Sequence, residues 1–183
     1  MKMKSVNSVD FTFSAVGFGC WAAGGSAIWN GSEDASSIQT IQRAVDLDIT
    51  FFDVAPVYGF GHAETILGRA LQGRRQKVII ATKCGLSWDD GGTIYNDLKP
   101  ATIEREIDDS LRRLNTDYVD IYQIHRWDYE TPIDETLEAL NDVVRAGKAR
   151  YIGASSMYAW QFAKALYTSD LHGWTRFVSM QPH

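Results

Sequence analysis

Six residues able to take part in proton, hydrogen-bond or π chemistry recur along this chain at roughly even intervals. They are Trp21, Asp53, Lys83, His125, Ser155 and Gln181, separated by 32, 30, 42, 30 and 26 residues. Each closes a short apolar run, and each interval is about the length of one strand–helix unit. A carboxylate, an ammonium, an imidazole, a hydroxyl and an amide at the ends of successive parallel strands meet on one rim when those strands close into a barrel. A doubly wound sheet instead gathers its ligand contacts at a single crossover point. The spacing therefore predicts a barrel.

The elements that must position these residues are legible around them. Strands are predicted over residues 15–21, 49–55, 78–83, 118–125, 150–156 and 177–181, several of them apolar nearly throughout, as strands buried on both faces are. A hairpin of 4–7 with 10–13 around Asn7-Ser8 precedes them. Helical periods separate the strands. Ile38, Ile41 and Val45 share a face after Ser32 and an acidic first turn of Glu33 and Asp34. A shorter helix covers 63–71 and stops at Gly73. Ile103, Ile107, Leu111 and Leu114 line one face of a third. The fourth is predicted to open with Thr131 as N-cap, Pro132 at its first position and Asp134 as the capping-box acid, and to close on Gly147. A fifth spans 159–168. The fold class is α/β, of (β/α)8 TIM-barrel type, with one domain over 1–183 containing the first six strands.

Asp53-Val54-Ala55-Pro56-Val57-Tyr58-Gly59, followed by Glu64-Thr65-Ile66-Leu67-Gly68, resembles the signature of the aldo-keto reductase family. The likeness continues through Ala81-Thr82-Lys83, Asp109-Ser110-Leu111-Arg112-Arg113-Leu114, Tyr118-Val119-Asp120-Ile121-Tyr122-Gln123-Ile124-His125 and Gly153-Ala154-Ser155-Ser156. It covers the chain from about Gly17 onward, five pieces in family order at barrel spacing. The resemblance implies NADPH-dependent reduction of aldehyde, ketone or sugar-type carbonyls. It maps the family's catalytic tetrad onto Asp53, Tyr58, Lys83 and His125.

The residue types suit that chemistry. Reducing a carbonyl needs a hydride at carbon, which a nicotinamide cofactor supplies, and a proton at oxygen. A tyrosine hydroxyl, ordinarily titrating near ~10, becomes an effective proton donor when a neighbouring ammonium stabilises the phenolate left behind. Through the resemblance Tyr58 is the acid, Lys83 the ammonium, Asp53 its orienting counter-ion and His125 a hydrogen-bonding partner of the substrate oxygen. Ser155 and Ser156 stand where the family has Ser-Asn holding the carboxamide of the nicotinamide, so Ser156 replaces the usual Asn. Gln181, Cys20, Trp21 and Asp53 complete the implied cofactor contacts. Trp21, Trp88, Arg126 and Trp127 are the implied walls of the substrate pocket.

Other chemistries are disfavoured. A net charge of −5 and a pI near 5.3 argue against a nucleic-acid or anionic-membrane surface. The clustered basic residues, Arg74, Arg75, Lys77, Arg112 and Arg113, are predicted to be solvated helix ends. Cys20 and Cys84 are too far apart for metal-ligand spacing and suit a reducing cytoplasm, and His62, His125, His172 and His183 form no ligand pattern, so no metal is expected. Gly17-Phe18-Gly19 with Gly24-Gly25 lacks the third glycine of a dinucleotide fingerprint. Asp89-Asp90-Gly91-Gly92 lacks calcium-loop spacing and is predicted to be a turn.

The sequence runs to just after the sixth predicted strand, whereas an eight-stranded barrel takes roughly 250 residues. The expectation is that six of eight units are present and that NADPH binding is weakened, since the family grips the pyrophosphate and 2′-phosphate after strands seven and eight. Open edges at the first and sixth strands would favour self-association or a complementing C-terminal fragment. The alternative function is a catalytically impaired binding or assembly module. No signal peptide or membrane span is expected, and the predicted location is cytoplasmic.

Overall fold

The computed structural model describes residues 1–25 and 33–182. The predicted helix-start residue Ser32 and the terminal His183 lie outside the described residues. An antiparallel hairpin, β1 (Met3–Ser5) and β2 (Thr12–Ser14), opens the chain, with Met3 opposite Ser14 and Ser5 opposite Thr12. Then follow β3 (Gly17–Gly19), α1 (Asp34–Asp46), β4 (Phe51–Asp53), α2 (His62–Ala70) and β5 (Ile79–Cys84). A second hairpin, β6 (Leu86–Trp88) with β7 (Ile94–Asn96), interrupts the alternation. It resumes through α3 (Pro100–Leu114), β8 (Val119–Ile124), α4 (Ile133–Arg145), β9 (Ala149–Ser155), α5 (Ala159–His172) and β10 (Phe177–Gln181).

The main sheet has six strands in the order β3-β4-β5-β8-β9-β10, and every pairing is parallel. Each strand lies beside its predecessor in the alternation and the order never reverses. That winding is a barrel's, and it excludes the doubly wound arrangement, which needs a reversal. Consecutive helices pack on one another, α1 on α2, α2 on α3, α3 on α4 and α4 on α5, forming one outer layer. Every residue of β5 and β8 is buried because helices cover one face and the barrel interior the other. The core between sheet and helices takes Ile41, Ile66, Leu67, Ile80, Ile103, Ile107, Tyr122, Leu137 and Ile152.

The amino-terminal hairpin closes one end of the barrel. The Ser14 amide donates to Thr50 Oγ1 at 2.9 Å, Arg150 pairs with Asp10 at 2.7 Å, and the rings of Phe13 and Phe51 stand 5.8 Å apart. Above it, Phe11, Phe51, Ile121 and Met180 bound an interior cavity of about 420 Å³. Within the described residues β3 and β10 are the two unpaired edges of the sheet. No helix among them is long and apolar enough to cross a membrane.

Two sequence expectations are corrected. Thr131 does not cap α4: its hydroxyl donates to Asp128 Oδ2 at 2.7 Å, the helix starts at Ile133, and Pro132 occupies the cap position. Arg75 and Arg113 are not solvated helix ends. Arg75 donates to Asp120, which is 1% exposed, at 2.7 Å, and Arg113 donates to the fully buried Glu64 at 2.6 Å. A buried carboxylate needs such a partner, and sequence position alone does not disclose that the helix end is covered.

Candidate active site

The carboxyl ends of the parallel strands form the rim that holds the site. β4 delivers Asp53, β5 delivers Lys83, β8 runs into His125, β9 ends on Ser155 and β10 on Gln181. Parallel register fixes their relative heights: Gly19 pairs with Asp53, Lys83 with Gln123, and Ser155 with Gln181. The His125 amide extends the ladder by donating to the Cys84 carbonyl at 2.9 Å.

Lys83 is the centre of the group. Its side chain is 2% exposed, and its ammonium donates to Asp53 Oδ1 at 2.8 Å, Asp53 Oδ2 at 2.9 Å, the Val54 carbonyl at 3.0 Å and the Tyr58 hydroxyl at 3.3 Å. A charge so enclosed survives only because both carboxylate oxygens and a carbonyl face it. The Tyr58 ring meets the His125 imidazole edge-on, centroids 5.9 Å apart, and lies 6.4 Å from the Trp21 ring. The four predicted catalytic residues are therefore contiguous. Burial pushes the His125 pKa down to about 3, with Lys83 and Arg126 opposing a further positive charge, so the imidazole is neutral at ordinary pH.

The backbone brings Trp21 to Tyr58 through a close approach of two glycines. A Cβ on Gly59 would lie 1.9 Å from the Gly24 carbonyl oxygen, and one on Gly24 would lie 2.9 Å from the Tyr58 carbonyl carbon. Gly59 also has φ 64, in the left-handed region that favours glycine. Only glycine at both positions lets the short helical turn Trp21–Gly24 rest on the Tyr58 loop.

The predicted cofactor contacts divide. The Ser155 and Ser156 hydroxyls are 3.3 Å apart, and the Ser156 amide donates to the Gln181 carbonyl at 3.1 Å. Ser156 takes φ 48, a left-handed conformation unusual for a residue with a Cβ. Trp21 is half exposed, whereas Cys20 is fully buried and its thiol is pushed up to about 12 by burial and by Asp53, against Lys83, which lowers it. The Cys20 side chain is thus sealed in the core, with its amide tied to the Asp53 carbonyl at 2.8 Å. The predicted pocket walls divide too. Arg126 and Trp127 line one cavity of about 490 Å³ together with Ser156. Trp88, packed 5.4 Å from Phe60, lines another of about 240 Å³. No cluster of metal-ligating side chains occurs among the described residues.

Residues 15–183 match the Aldo/keto reductase family. The chain belongs to that family. It is 40% identical over 174 residues to Aldo-keto reductase YhdN of Bacillus subtilis (strain 168), an alignment covering 94% of this chain and 52% of the relative. It is 38% identical over 186 residues to the NADH-specific methylglyoxal reductase of Escherichia coli (strain K12), covering 93% and 57%. Among solved structures it superposes on the aldo-keto reductase AKR11C1 of Bacillus halodurans (holo form) with a TM-score of 0.88 at 33% identity, covering 100% of this chain and 57% of that one. The glycerol dehydrogenase AKR11B4 of Gluconobacter oxydans gives 0.85 at 37%, covering 98% and 54%. The chain spans about half the length of these relatives. These neighbours fix the α/β architecture as the (β/α)8 barrel of the aldo-keto reductases, here with six of its strands.

Two carboxylates brace this group of residues in a way that sequence position did not disclose. Glu64, on α2, is fully buried and accepts from the Thr82 hydroxyl and from Arg113 Nε, each at 2.6 Å. It thereby ties the strand carrying Lys83 to the helix that follows Tyr58. Glu106, on α3, is 7% exposed and accepts from the Gly85 amide at 2.8 Å and the Ser87 hydroxyl at 2.6 Å. It holds the turn by which the chain leaves Lys83 for the Trp88 hairpin. An acid one helical turn from the buried Thr102 or Ile103 was the available signal, but its partners lie about twenty residues away.

Proposed function

We propose that this chain carries the proton-transfer machinery of an NADPH-dependent aldo-keto reductase acting on aldehyde, ketone or sugar-type carbonyls, with Tyr58 as proton donor. The observation that carries the reading is Lys83 held between both oxygens of Asp53 and the Tyr58 hydroxyl. In the reaction a hydride reaches the carbonyl carbon and the Tyr58 proton reaches the oxygen, leaving an alcohol and a tyrosinate that the Lys83 ammonium stabilises. Asp53 keeps that ammonium charged and aimed. His125, neutral and beside Tyr58, donates an N–H to the carbonyl oxygen and so orients it.

The residues at the ends of β9 and β10 fit a nicotinamide carboxamide. Ser155, Ser156 and Gln181 offer two hydroxyls and an amide side by side, and the Gln181 side chain has no hydrogen-bond partner among the described residues. Bound there, the cofactor supplies the hydride. NADPH is the nucleotide we propose; because one relative is named as NADH-specific, the test uses both. A cytoplasmic setting belongs to the same proposal and is supported by two free, buried cysteines, Cys20 and Cys84.

The test is loss of reduced-nicotinamide absorbance with an aldehyde panel, alongside a fluorescence titration of each nucleotide. Tyr58→Phe is expected to lower turnover by about 10²–10⁴ while leaving nucleotide affinity in place. Absence of binding at millimolar nucleotide, or full turnover in Tyr58→Phe, would defeat the proposal.

A further inference from the structure

Arg126 directly follows His125 on the rim and is exposed. Among the described residues Arg69, Arg74, Arg75, Arg112, Arg113, Arg150 and Arg176 each meet a carboxylate, whereas Arg43, Arg105, Arg126 and Arg145 do not. Of those four, Arg43, Arg105 and Arg145 lie on helices, and Arg126 sits on a strand-end loop. Most of the nearby charges are engaged elsewhere. Asp53 balances Lys83 at 2.8 Å, and His125 is neutral. Asp128 turns inward, accepting from the Leu98 and Glu130 amides and from the Thr131 hydroxyl. Glu130 is exposed on the same loop and forms no ion pair with Arg126, so among the described residues the guanidinium has no ion-pair partner.

That guanidinium borders a cavity of about 490 Å³ and is the one charged side chain in its lining. Trp127, Tyr129 and Tyr158 supply aromatic walls, and Ser156 joins the cavity to the rim where the nicotinamide contacts were assigned. The loop beneath is held in place: Asn96 Nδ2 donates to the Trp127 carbonyl at 3.2 Å, and the Trp127 ring packs 6.0 Å from that of Trp160. A volume of this size suits a small organic molecule. A planar guanidinium matches a carboxylate bidentately, a pairing that a lysine or an amide does not reproduce.

We propose that Arg126 is a specificity-determining residue that anchors substrates bearing a carboxylate, so that the preferred carbonyl compounds are anionic aldehydes or ketones with a flat or aromatic body. The proposal rests on the carbonyl-reducing function assigned to the same rim and adds to it a substrate class.

The experiment titrates the whole chain, by tryptophan fluorescence, with 4-carboxybenzaldehyde and with its neutral isostere 4-formylbenzamide. The acid is expected to bind about tenfold more tightly, an advantage that shrinks as salt is raised. Arg126→Gln should bring the acid's affinity down to that of the amide, and Arg126→Lys should keep part of the difference. Because Arg126 is exposed and makes no ion pair among the described residues, the unfolding midpoint of Arg126→Gln should match that of the parent, which separates recognition from folding. Equal affinities in the parent, or a preference that persists in Arg126→Gln, would overturn the proposal. So would an Arg126→Gln chain that loses nucleotide affinity while keeping the acid's, which would make Arg126 a phosphate contact. Reduction of the two aldehydes is followed in parallel. Discriminating binding without reduction rejects the carbonyl-reductase reading alone, and reduction of both at equal kcat/KM rejects the anionic preference alone.

Discussion

Removing Asp53 should unbalance the buried charge at the centre of the site, and the size of the effect follows from the geometry. Lys83 Nζ lies 2.8 Å and 2.9 Å from the two oxygens of Asp53, and the Lys83 side chain is 2% exposed. At an effective dielectric constant near 20, a contact of that length gives an attraction of about 6 kcal/mol. Desolvating the two ions costs several kcal/mol each, so the intact pair comes close to breaking even with an apolar substitute. Its loss is different. In Asp53→Ala the ammonium keeps its desolvation cost and retains only the Val54 carbonyl and the Tyr58 hydroxyl. The expected loss is about 3–5 kcal/mol, a large share of a typical domain's stability. Asp53→Asn, which keeps an acceptor without the charge, should fall between. Adding Lys83→Met to Asp53→Ala should restore much of the loss, with a coupling of about 3 kcal/mol in the double-mutant cycle. Urea unfolding followed by tryptophan fluorescence and by circular dichroism, with coincident transitions, measures Asp53→Asn and the four corners of the cycle: the parent, Asp53→Ala, Lys83→Met and the double variant. A loss below about 1 kcal/mol in Asp53→Ala, or strictly additive single and double variants, would refute the picture of an enclosed, mutually dependent pair.

Two further outcomes follow. His125 has its pKa lowered from the ordinary 6.5 to about 3, chiefly by burial, so folding disfavours its charged form. The stability it contributes is present above about pH 6.5 and declines as pH falls toward 3, by up to about 1.4 kcal/mol per pH unit. Pairing urea titrations of the parent and His125→Asn from pH 7 to pH 4 should show the parent losing its advantage, and a pH-independent difference would contradict the shift. Glu106 has its pKa raised by burial, against the hydrogen bonds from Ser87 and Gly85, so its contribution is complete below the ordinary value and falls as pH rises through the raised one. At pH 7 Glu106→Gln, which keeps an acceptor, should therefore lie within about 1 kcal/mol of the parent, whereas Glu106→Ala should lose about 2–4 kcal/mol by leaving the Gly85 amide and the Ser87 hydroxyl unpaired. Thermal unfolding of both variants checks this, and equal losses would show that the hydrogen bonds carry nothing.

The parts of the molecule legible in the sequence share a physical property: they depend on neighbours along the chain. β5 and β8 are predicted within two residues because continuous apolar runs mark strands buried on both faces, and the partly buried β10 is predicted over the residues it occupies. The face of α3 was visible as Ile103, Ile107 and Leu114. The α4 cap was misplaced because the Thr131 hydroxyl, expected to accept from the helix backbone, instead donates to Asp128, whose orientation depends on the Leu98 amide in a distant loop. The β6–β7 hairpin went unseen beyond its turn at Asp89–Gly92, since three-residue strands carry too little period to register.

The chemical inventory and its spacing are readable from residue identity alone. Asp53, Tyr58, Lys83 and His125 are set by identity and by the length of one strand–helix unit, and a parallel sheet converts equal spacing into a common rim. The tertiary structure decided which charges are enclosed and which are free. Arg75 and Arg113 became buried partners of Asp120 and Glu64, Glu106 became the clamp on the Lys83 turn, and Arg126 was left without a counter-ion among the described residues. It also parted Trp88 from Arg126 and Trp127 into separate cavities. Those outcomes turn on desolvation and pairing, which depend on the elements that fold over a side chain from far along the chain, and no local pattern of residue types records them.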